Sequence, residues 1–288
     1  MYPAKFEYYR ANSVQEAIQL MQEHDEAKFL AGGHSLIPMM KLRLAQPATL
    51  IDIGRIHELS GISHSSDTLR IGALTTHAEI AASALLREQC EILPEAAAQI
   101  ADPQVRYKGT IGGNLAHADP GSDLPAVVLS LNSTIYLTGP SGDRQVKAAD
   151  FFLDLFTTDI RPEEIMTAVE VPVLRENTGS CYLKFEHPAS GYAVCGAAAV
   201  FTSAADGSCE SCQLCFNGLT AVPHIASSLS EALVGKTPDD SMIAQLVNEQ
   251  LIIDEPMGDT YASGAYRIEV AKVYARNSLR TARDRSQS

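Results

Sequence analysis

The residues with the clearest chemical potential are two glycine-paired stretches, Ala31-Gly32-Gly33-His34-Ser35 and Thr110-Ile111-Gly112-Gly113-Asn114. Adjacent glycines let a backbone turn through left-handed conformations and let a ligand approach without meeting a Cβ. Successive N–H groups in such a turn form a concave nest that suits phosphate oxygens. One Gly-Gly is explained equally well by simple turn chemistry. Two, each beside an apolar run and a small polar residue, could clasp a diphosphate from both sides. The formal net charge of −13 sharpens the point, because backbone amides supply local positive potential without adding cations.

Other chemistries fit less well. Neither stretch matches the Gly-x-Gly-x-x-Gly dinucleotide fingerprint. Gly235-Lys236-Thr237 resembles the end of a P-loop, but the earlier glycine position holds Ser230 and no strand leads into it. Cys209, Cys212 and Cys215 would need a remote fourth ligand, Cys195 or Cys181, to hold an iron–sulfur cluster. In a regular strand Cys209 and Cys215 share one face and Cys212 takes the other, so small buried thiols are the favoured reading. His117-Ala-Asp119 lacks the companions of a metal triad, and no acid–base pair or nucleophile constellation stands out.

The elements that must position the glycine stretches follow from capping and periodicity. Ser13-Val-Gln-Glu16 reads as a capping box opening a helix with Val14, Ala17, Ile18 and Met21 inward. A strand over 28–31 runs into the first stretch, a helix over 36–44 leaves it, and a strand over 49–53 completes a small α/β lobe. A second lobe holds a strand over 68–72, a capping box at Thr76–Glu79 and an Ala-rich helix over 90–101. It continues through the second stretch, a buried helix over 124–131, a hairpin turning at Gly139-Pro-Ser-Gly142 and a strand over 165–171. Three antiparallel strands, over 181–186, 192–203 and 209–219, are then followed by helices over 225–233, 241–251 and 261–282. This is an α+β arrangement, and the polar tail over 283–288 is expected to fray.

A hydrophobic content of 45% with 20% charged residues is that of a globular chain. The acidity argues against nucleic acid and anionic membranes as partners. The N-terminal stretch, Met1-Tyr-Pro-Ala-Lys-Phe-Glu, lacks a basic region followed by an apolar one, and no run approaches the ~18 apolar residues of a membrane span. The expected location is the cytoplasm, with all six cysteines as reduced thiols.

Taken jointly, Ala31-Gly-Gly-His-Ser-Leu36 with Pro38 and Lys41, and Gly109-Thr-Ile-Gly-Gly-Asn-Leu-Ala-His-Ala-Asp-Pro120 with Ser122-Asp-Leu-Pro125, resemble one family. They look like the FAD-binding medium subunit of molybdenum hydroxylases, the carbon monoxide dehydrogenase and xanthine dehydrogenase group. The resemblance covers nearly the whole chain. It implies a two-lobed FAD-binding domain of the vanillyl-alcohol-oxidase/molybdopterin-dehydrogenase type over 1–175, with lobes of about 1–56 and 57–175. A C-terminal flavoprotein domain over 176–288 would carry the three-stranded antiparallel sheet and its helices.

By the same resemblance, Ala31, Gly32, Gly33, His34, Ser35 and Leu36 match the first diphosphate loop, and Thr110, Ile111, Gly112, Gly113 and Asn114 match the second. Asp123 matches a carboxylate on the ribityl or ring side of the flavin, although a helix N-cap is an alternative role. Tyr192 matches a residue lying against the isoalloxazine as a gate over its reactive side, where residue type alone reads as strand core. Lys184 matches a cation near the ring, though Phe185-Glu-His-Pro188 departs from the more basic stretch of relatives. Ile165 or Met166 would touch the ring or belong to the core.

The implied activity is oxidoreduction: noncovalent FAD takes electrons from a small subunit with two [2Fe–2S] clusters. The chain passes them to an external acceptor, while a large molybdenum–pterin subunit acts on substrate. The expected assembly is a dimer of heterotrimers, with no metal held by this chain. The alternatives are a free-standing FAD-dependent oxidase of related fold, for which the third lobe looks small, and a flavin-free paralogue.

Overall fold

The computed structural model describes residues 2–287; Met1 of the N-terminal stretch and Ser288 of the tail lie outside the described residues. The first lobe is a parallel three-stranded sheet in which Glu7–Arg10 and Ala27–Leu30 flank Thr49–Asp52. The strand Glu7–Arg10 was not expected, because its largely exposed residues carry no alternating apolar pattern; the Tyr8 hydroxyl ties it to Asp52. Ser13 caps the helix Val14–Glu23 by accepting from the Glu16 amide at 3.1 Å. The Glu16 carboxylate reaches back to Asn12 rather than to Ser13. The box at Thr76 and Glu79 closes in both directions.

The second lobe is a five-stranded antiparallel sheet in the order Ile62–Ser65, Thr68–Gly72, Ile165–Pro172, Thr134–Gly139, Gly142–Lys147. Its apolar side chains Leu69, Ile71, Ile135, Leu137, Val169 and Val171 share one core with the helices Ile92–Ala98, Ile111–His117 and Leu124–Ser130. The Ala-rich helix is shorter than expected. Cys90 closes the preceding helix Ala84–Gln89, and Ala101 takes φ +40°, which breaks the spiral before Asp102 caps Pro103–Arg106.

The third sheet is antiparallel and four-stranded, not three-stranded: Thr178–Glu186, Ala193–Ser203 and Cys209–Asn217 are joined by His224–Ile225. Two residues are too few to display a period-two pattern in sequence. Both faces of this sheet are covered. Cys195, Ala197, Ala199 and Phe201 pack with Ala271, Ala275, Leu279 and Ala282 of the long helix Gly264–Arg285. Tyr182, Ala198 and Cys215 join the core of the second lobe. The run Ala193-Val-Cys-Gly-Ala-Ala-Ala-Val-Phe is therefore apolar on successive residues, as a doubly covered strand requires.

The tail does not fray where described. Arg285 donates to the Ser180 carbonyl at 2.6 Å and pairs with Glu95 at 2.6 Å. The hydroxyls of Ser286 and Ser203 meet at 2.6 Å.

Regular alternation also fails at the cysteines. Ser203 pairs with Cys209 where Thr202 pairs with Ser211, so Glu210 is an extra residue in the strand. This bulge turns Cys209 onto the same core as Cys212, leaving Cys215 in the other. All six thiols are buried and free, and burial pushes those of Cys90 and Cys195 up to about 12. Among the described residues no group of three or more His, Cys, Asp or Glu is arranged to hold a metal. No helix among them is long and apolar enough to cross a membrane.

Candidate functional site

The strand Ala27–Leu30 delivers Ala31 to Ser35 to the start of the helix Leu36–Lys41. Gly33 sits at φ +75°, so the bend depends on glycine. Gly32 answers a different demand: a Cβ there would overlap the Lys108 carbonyl and lie 3.0 Å from the Gly109 Cα. The two glycine stretches thus meet backbone to backbone. None of the amides from Gly32 to Leu36 donates to another described protein atom, and Ser35 makes no side-chain cap bond. His34 folds back on its own loop, its Nδ1 3.0 Å from the Gly32 carbonyl. A row of free amides at a left-handed bend is an anion nest.

The second stretch is different from the expected turn. Thr110 caps the helix Ile111–His117 by accepting from the Gly113 amide at 3.1 Å. The Ile111 amide donates to the Thr75 carbonyl at 3.0 Å, and that of Gly112 to Ala73 at 2.8 Å. These amides are spent on anchoring the segment to its own lobe. Gly112 is small because Ala73 presses on it, a Cβ coming to 2.6 Å of the Ala73 Cβ. Gly113 is exposed and faces Ala31. The Asn114 Nδ2 donates to Ser122 at 3.2 Å, leaving its Oδ1 buried with no protein partner. An orphaned acceptor of this kind fits a hydroxyl-bearing ligand. The free amides, the unused Ser35 hydroxyl and this acceptor together suit a diphosphate joined to a polyol, which FAD contains.

From Ser122 the wall continues to Asp123. Its carboxylate caps no helix; instead Oδ1 accepts from the Tyr182 hydroxyl at 2.6 Å and Oδ2 from Lys184 Nζ at 3.0 Å. Lys184 also donates to the Gln99 carbonyl at 2.9 Å. The side chains of Lys184 and Asp123 are 2% and 5% exposed, so this is a buried ion pair. Burial lifts the Asp123 pKa to about 6, against the opposing pull of Lys184 and Tyr182. Tyr182 was not anticipated; a tyrosine in an apolar strand gives no sign that its hydroxyl has a carboxylate to reach.

The sign of the resulting pH dependence follows from linkage. A carboxyl raised from 3.8 to about 6 on folding holds its proton more tightly in the folded chain. Its contribution is fully present below 3.8 and is lost as pH rises to about 6. At about 1.4 kcal/mol per unit the loss is on the order of 2–3 kcal/mol. Urea unfolding of the wild type and Asp123→Asn from acid to neutral pH should diverge by that amount across this window. Parallel profiles would contradict the assignment.

Tyr192 closes the remaining side. It precedes the strand rather than lying in it, is 43% exposed, and rests on Gly121, where a Cβ would be 3.0 Å from its Cδ1. Burial, then Asp119 and Asp123, raise its phenol pKa. The structure therefore joins Ala31–Leu36, Lys108–Asn114, Gly121–Asp123, Lys184 and Tyr192 through successive contacts. Met166 is not among them: it is buried in the core of the second lobe, and Ile165 lies in that of the first.

Comparison with known proteins agrees with this architecture. The FAD-binding domain in molybdopterin dehydrogenase matches residues 4–174, and the carbon monoxide dehydrogenase flavoprotein C-terminal domain matches 180–282. The chain is 38% identical to the glyceraldehyde dehydrogenase medium chain of Sulfolobus acidocaldarius, over 95% of this chain and 96% of that one. It is 36% identical to the carbon monoxide dehydrogenase medium chain of Afipia carboxidovorans, with both chains covered in full. Among solved structures, a carbon monoxide dehydrogenase from Hydrogenophaga pseudoflava superposes with a TM-score of 0.95 at 37% identity, over 99% of both chains. Quinoline 2-oxidoreductase from Pseudomonas putida 86 gives 0.94 at 30%, over all of both. The mixed α/β fold, the two matched domains and the level of identity make one conclusion plain: this chain belongs to the FAD-binding medium subunits of the molybdenum hydroxylases, the family of the carbon monoxide and xanthine dehydrogenases.

Proposed function

We propose that this chain is the electron-transfer subunit of a molybdenum-containing dehydrogenase or hydroxylase. It would take electrons from [2Fe–2S] clusters of a small partner and pass them to an external acceptor. A large molybdenum–pterin partner would act on substrate, in a cytoplasmic dimer of heterotrimers. The observation that carries the reading is the row of free amides from Gly32 to Leu36 held against Lys108 and Gly109. Support for the partners comes from relatives named as medium chains or subunits of larger dehydrogenases.

Residues 1–175 would hold the cofactor noncovalently and 176–288 would complete the ring side. FAD supplies the redox chemistry, and the protein supplies binding, orientation and electrostatics. The Gly32–Leu36 amides and the Ser35 hydroxyl would take the diphosphate oxygens, with Thr110 and Asn114 flanking them. The Asn114 Oδ1 would accept from a ribityl hydroxyl. Lys184, its charge balanced by Asp123 at 3.0 Å, would favour negative charge on the neighbouring ring. Tyr192 would cover one ring face and restrict approach of the acceptor.

Affinity purification of the chain from its native cells is the test. FAD on this chain, with molybdenum and iron in co-purifying chains, is the expected result. A solitary, fully active oxidase would overturn the proposal. Tyr192→Ala in the assembled complex should retain FAD and change the rate of flavin reoxidation about tenfold, a barrier change of ~1.4 kcal/mol. Unchanged stopped-flow traces would remove the gating role.

A further inference from the structure

Among the described residues, the candidate site leaves a buried cation unused. Arg267, in the first turns of Gly264–Arg285, is 6% exposed and distributes its guanidinium over four acceptors. Its Nη1 donates to the Val194 carbonyl at 2.8 Å and to Gly218 at 2.6 Å, its Nη2 to Asp259 at 2.6 Å, and its Nε to Ala262 at 3.4 Å. Val194 and Gly218 lie at the ends of neighbouring strands, and these ends hold the Pro120–Gly121 turn on which Tyr192 rests. The Ala193 amide donates to the Gly121 carbonyl at 3.0 Å, and the Gly218 amide to Pro120 at 2.7 Å. Gly218, at φ +81°, lies so close to its neighbour that a Cβ would come within 2.7 Å of the Ala193 carbonyl.

The far foot of the same loop is tied to the same ion pair. Asp259 Oδ1 accepts from the amides of Tyr261 and Ala262, each at 2.8 Å. The Tyr261 ring packs edge-on against His187, with centroids 4.4 Å apart. The His187 amide donates to the Tyr192 carbonyl at 2.7 Å. Gly191, at φ +70°, makes the bend between them.

We propose that the Arg267–Asp259 pair is a positioning device that holds Tyr192 in place over the Pro120–Gly121 turn, and so sets the contact of Tyr192 with the flavin ring. The inference rests on the ring lying beside Tyr192, as proposed above. A planar guanidinium with a fork of donors can bridge two carbonyls and a carboxylate at once. An ammonium cannot keep all of these contacts. Arg267→Lys should therefore behave like a loss of the device, although the charge is kept.

The test uses the FAD-loaded full chain, with flavin fluorescence and visible circular dichroism as readouts and thermal unfolding recorded separately. Tyr192→Ala should raise flavin fluorescence several-fold, because a stacked tyrosine quenches the ring. Arg267→Lys, Arg267→Gln and Asp259→Asn should reproduce that rise. Combined with Tyr192→Ala they should add nothing further, as expected of groups acting through one contact. Arg144→Gln, which breaks pairs with Asp159 and Glu164 elsewhere, should lower the unfolding temperature and leave the flavin signals unchanged. Asp259 is 49% exposed at its side chain, so Asp259→Asn carries the test should the Arg267 variants misfold. A fluorescence rise in Tyr192→Ala with wild-type signals in Asp259→Asn and in folded Arg267 variants overturns the inference alone. No change in Tyr192→Ala overturns the placement of the ring, and the inference with it.

Discussion

Gly32→Val is expected to abolish FAD retention while the chain keeps its fold. The reason is steric and local. A Cβ at Gly32 would run into the Lys108 carbonyl and the Gly109 Cα, and backbone cannot turn aside as the end of a flexible side chain can. The first loop must therefore move away from the second segment, and its free amides move with it. Hydrogen bonds to charged groups contribute about 1.5–3 kcal/mol each, so misdirecting two costs about 3–6 kcal/mol. That is roughly a hundredfold or greater loss of affinity. Equilibrium titration of the apo chain with FAD, with far-ultraviolet circular dichroism as the fold check, measures it. Wild-type affinity in a folded Gly32→Val chain would remove the diphosphate site from this loop. Gly112→Val would be a poor substitute, because Ala73 fills the space and the lobe itself would be disturbed.

The second large effect is expected at the buried ion pair. Lys184→Met should destabilise the chain by about 2–4 kcal/mol at neutral pH, because Asp123 loses the cation that keeps it ionised, about 1.4 kcal/mol for each unit above its pKa, and the Gln99 carbonyl loses its donor, about 1–3 kcal/mol. Asp123 has already been lifted to about 6 with the lysine present, so acidification should recover part of the loss by neutralising it. Adding Asp123→Asn should restore part of the stability at neutral pH, as an amide oxygen can still accept from Tyr182. Chemical unfolding of the three variants at acid and neutral pH separates these terms. FAD affinity provides the functional half: a double variant that is stable yet binds FAD as wild type would make the pair purely architectural. A single variant as stable as wild type at neutral pH would contradict the buried pair itself.

Much of this protein was legible in its residues. Local signals are short-range, and several of them held. The Thr76–Glu79 box, the hairpin at Gly139–Gly142 and the strand feeding the first glycine loop are where the spacing put them. Family membership was legible because two glycine motifs in fixed order are a stringent pattern. The strand Glu7–Arg10 and the two-residue strand His224–Ile225 were not, since one is largely exposed and the other too short for a period. The bulge at Glu210 was equally hidden, because an extra strand residue has no compositional mark.

What the sequence by itself determined was the identity of the loops, the elements around them and the need for glycine within them. Only the tertiary structure decided what each glycine was for. Gly33 answers a left-handed bend, Gly32 a neighbouring backbone and Gly112 an alanine of its own lobe, three demands that the same residue type meets indistinguishably. It likewise decided that the amides of the first stretch are free and those of Ile111 and Gly112 are committed to Thr75 and Ala73. Hydrogen-bond partners remote in the chain decide whether an N–H remains for a ligand, and pairing of that kind exists only once the lobes have packed.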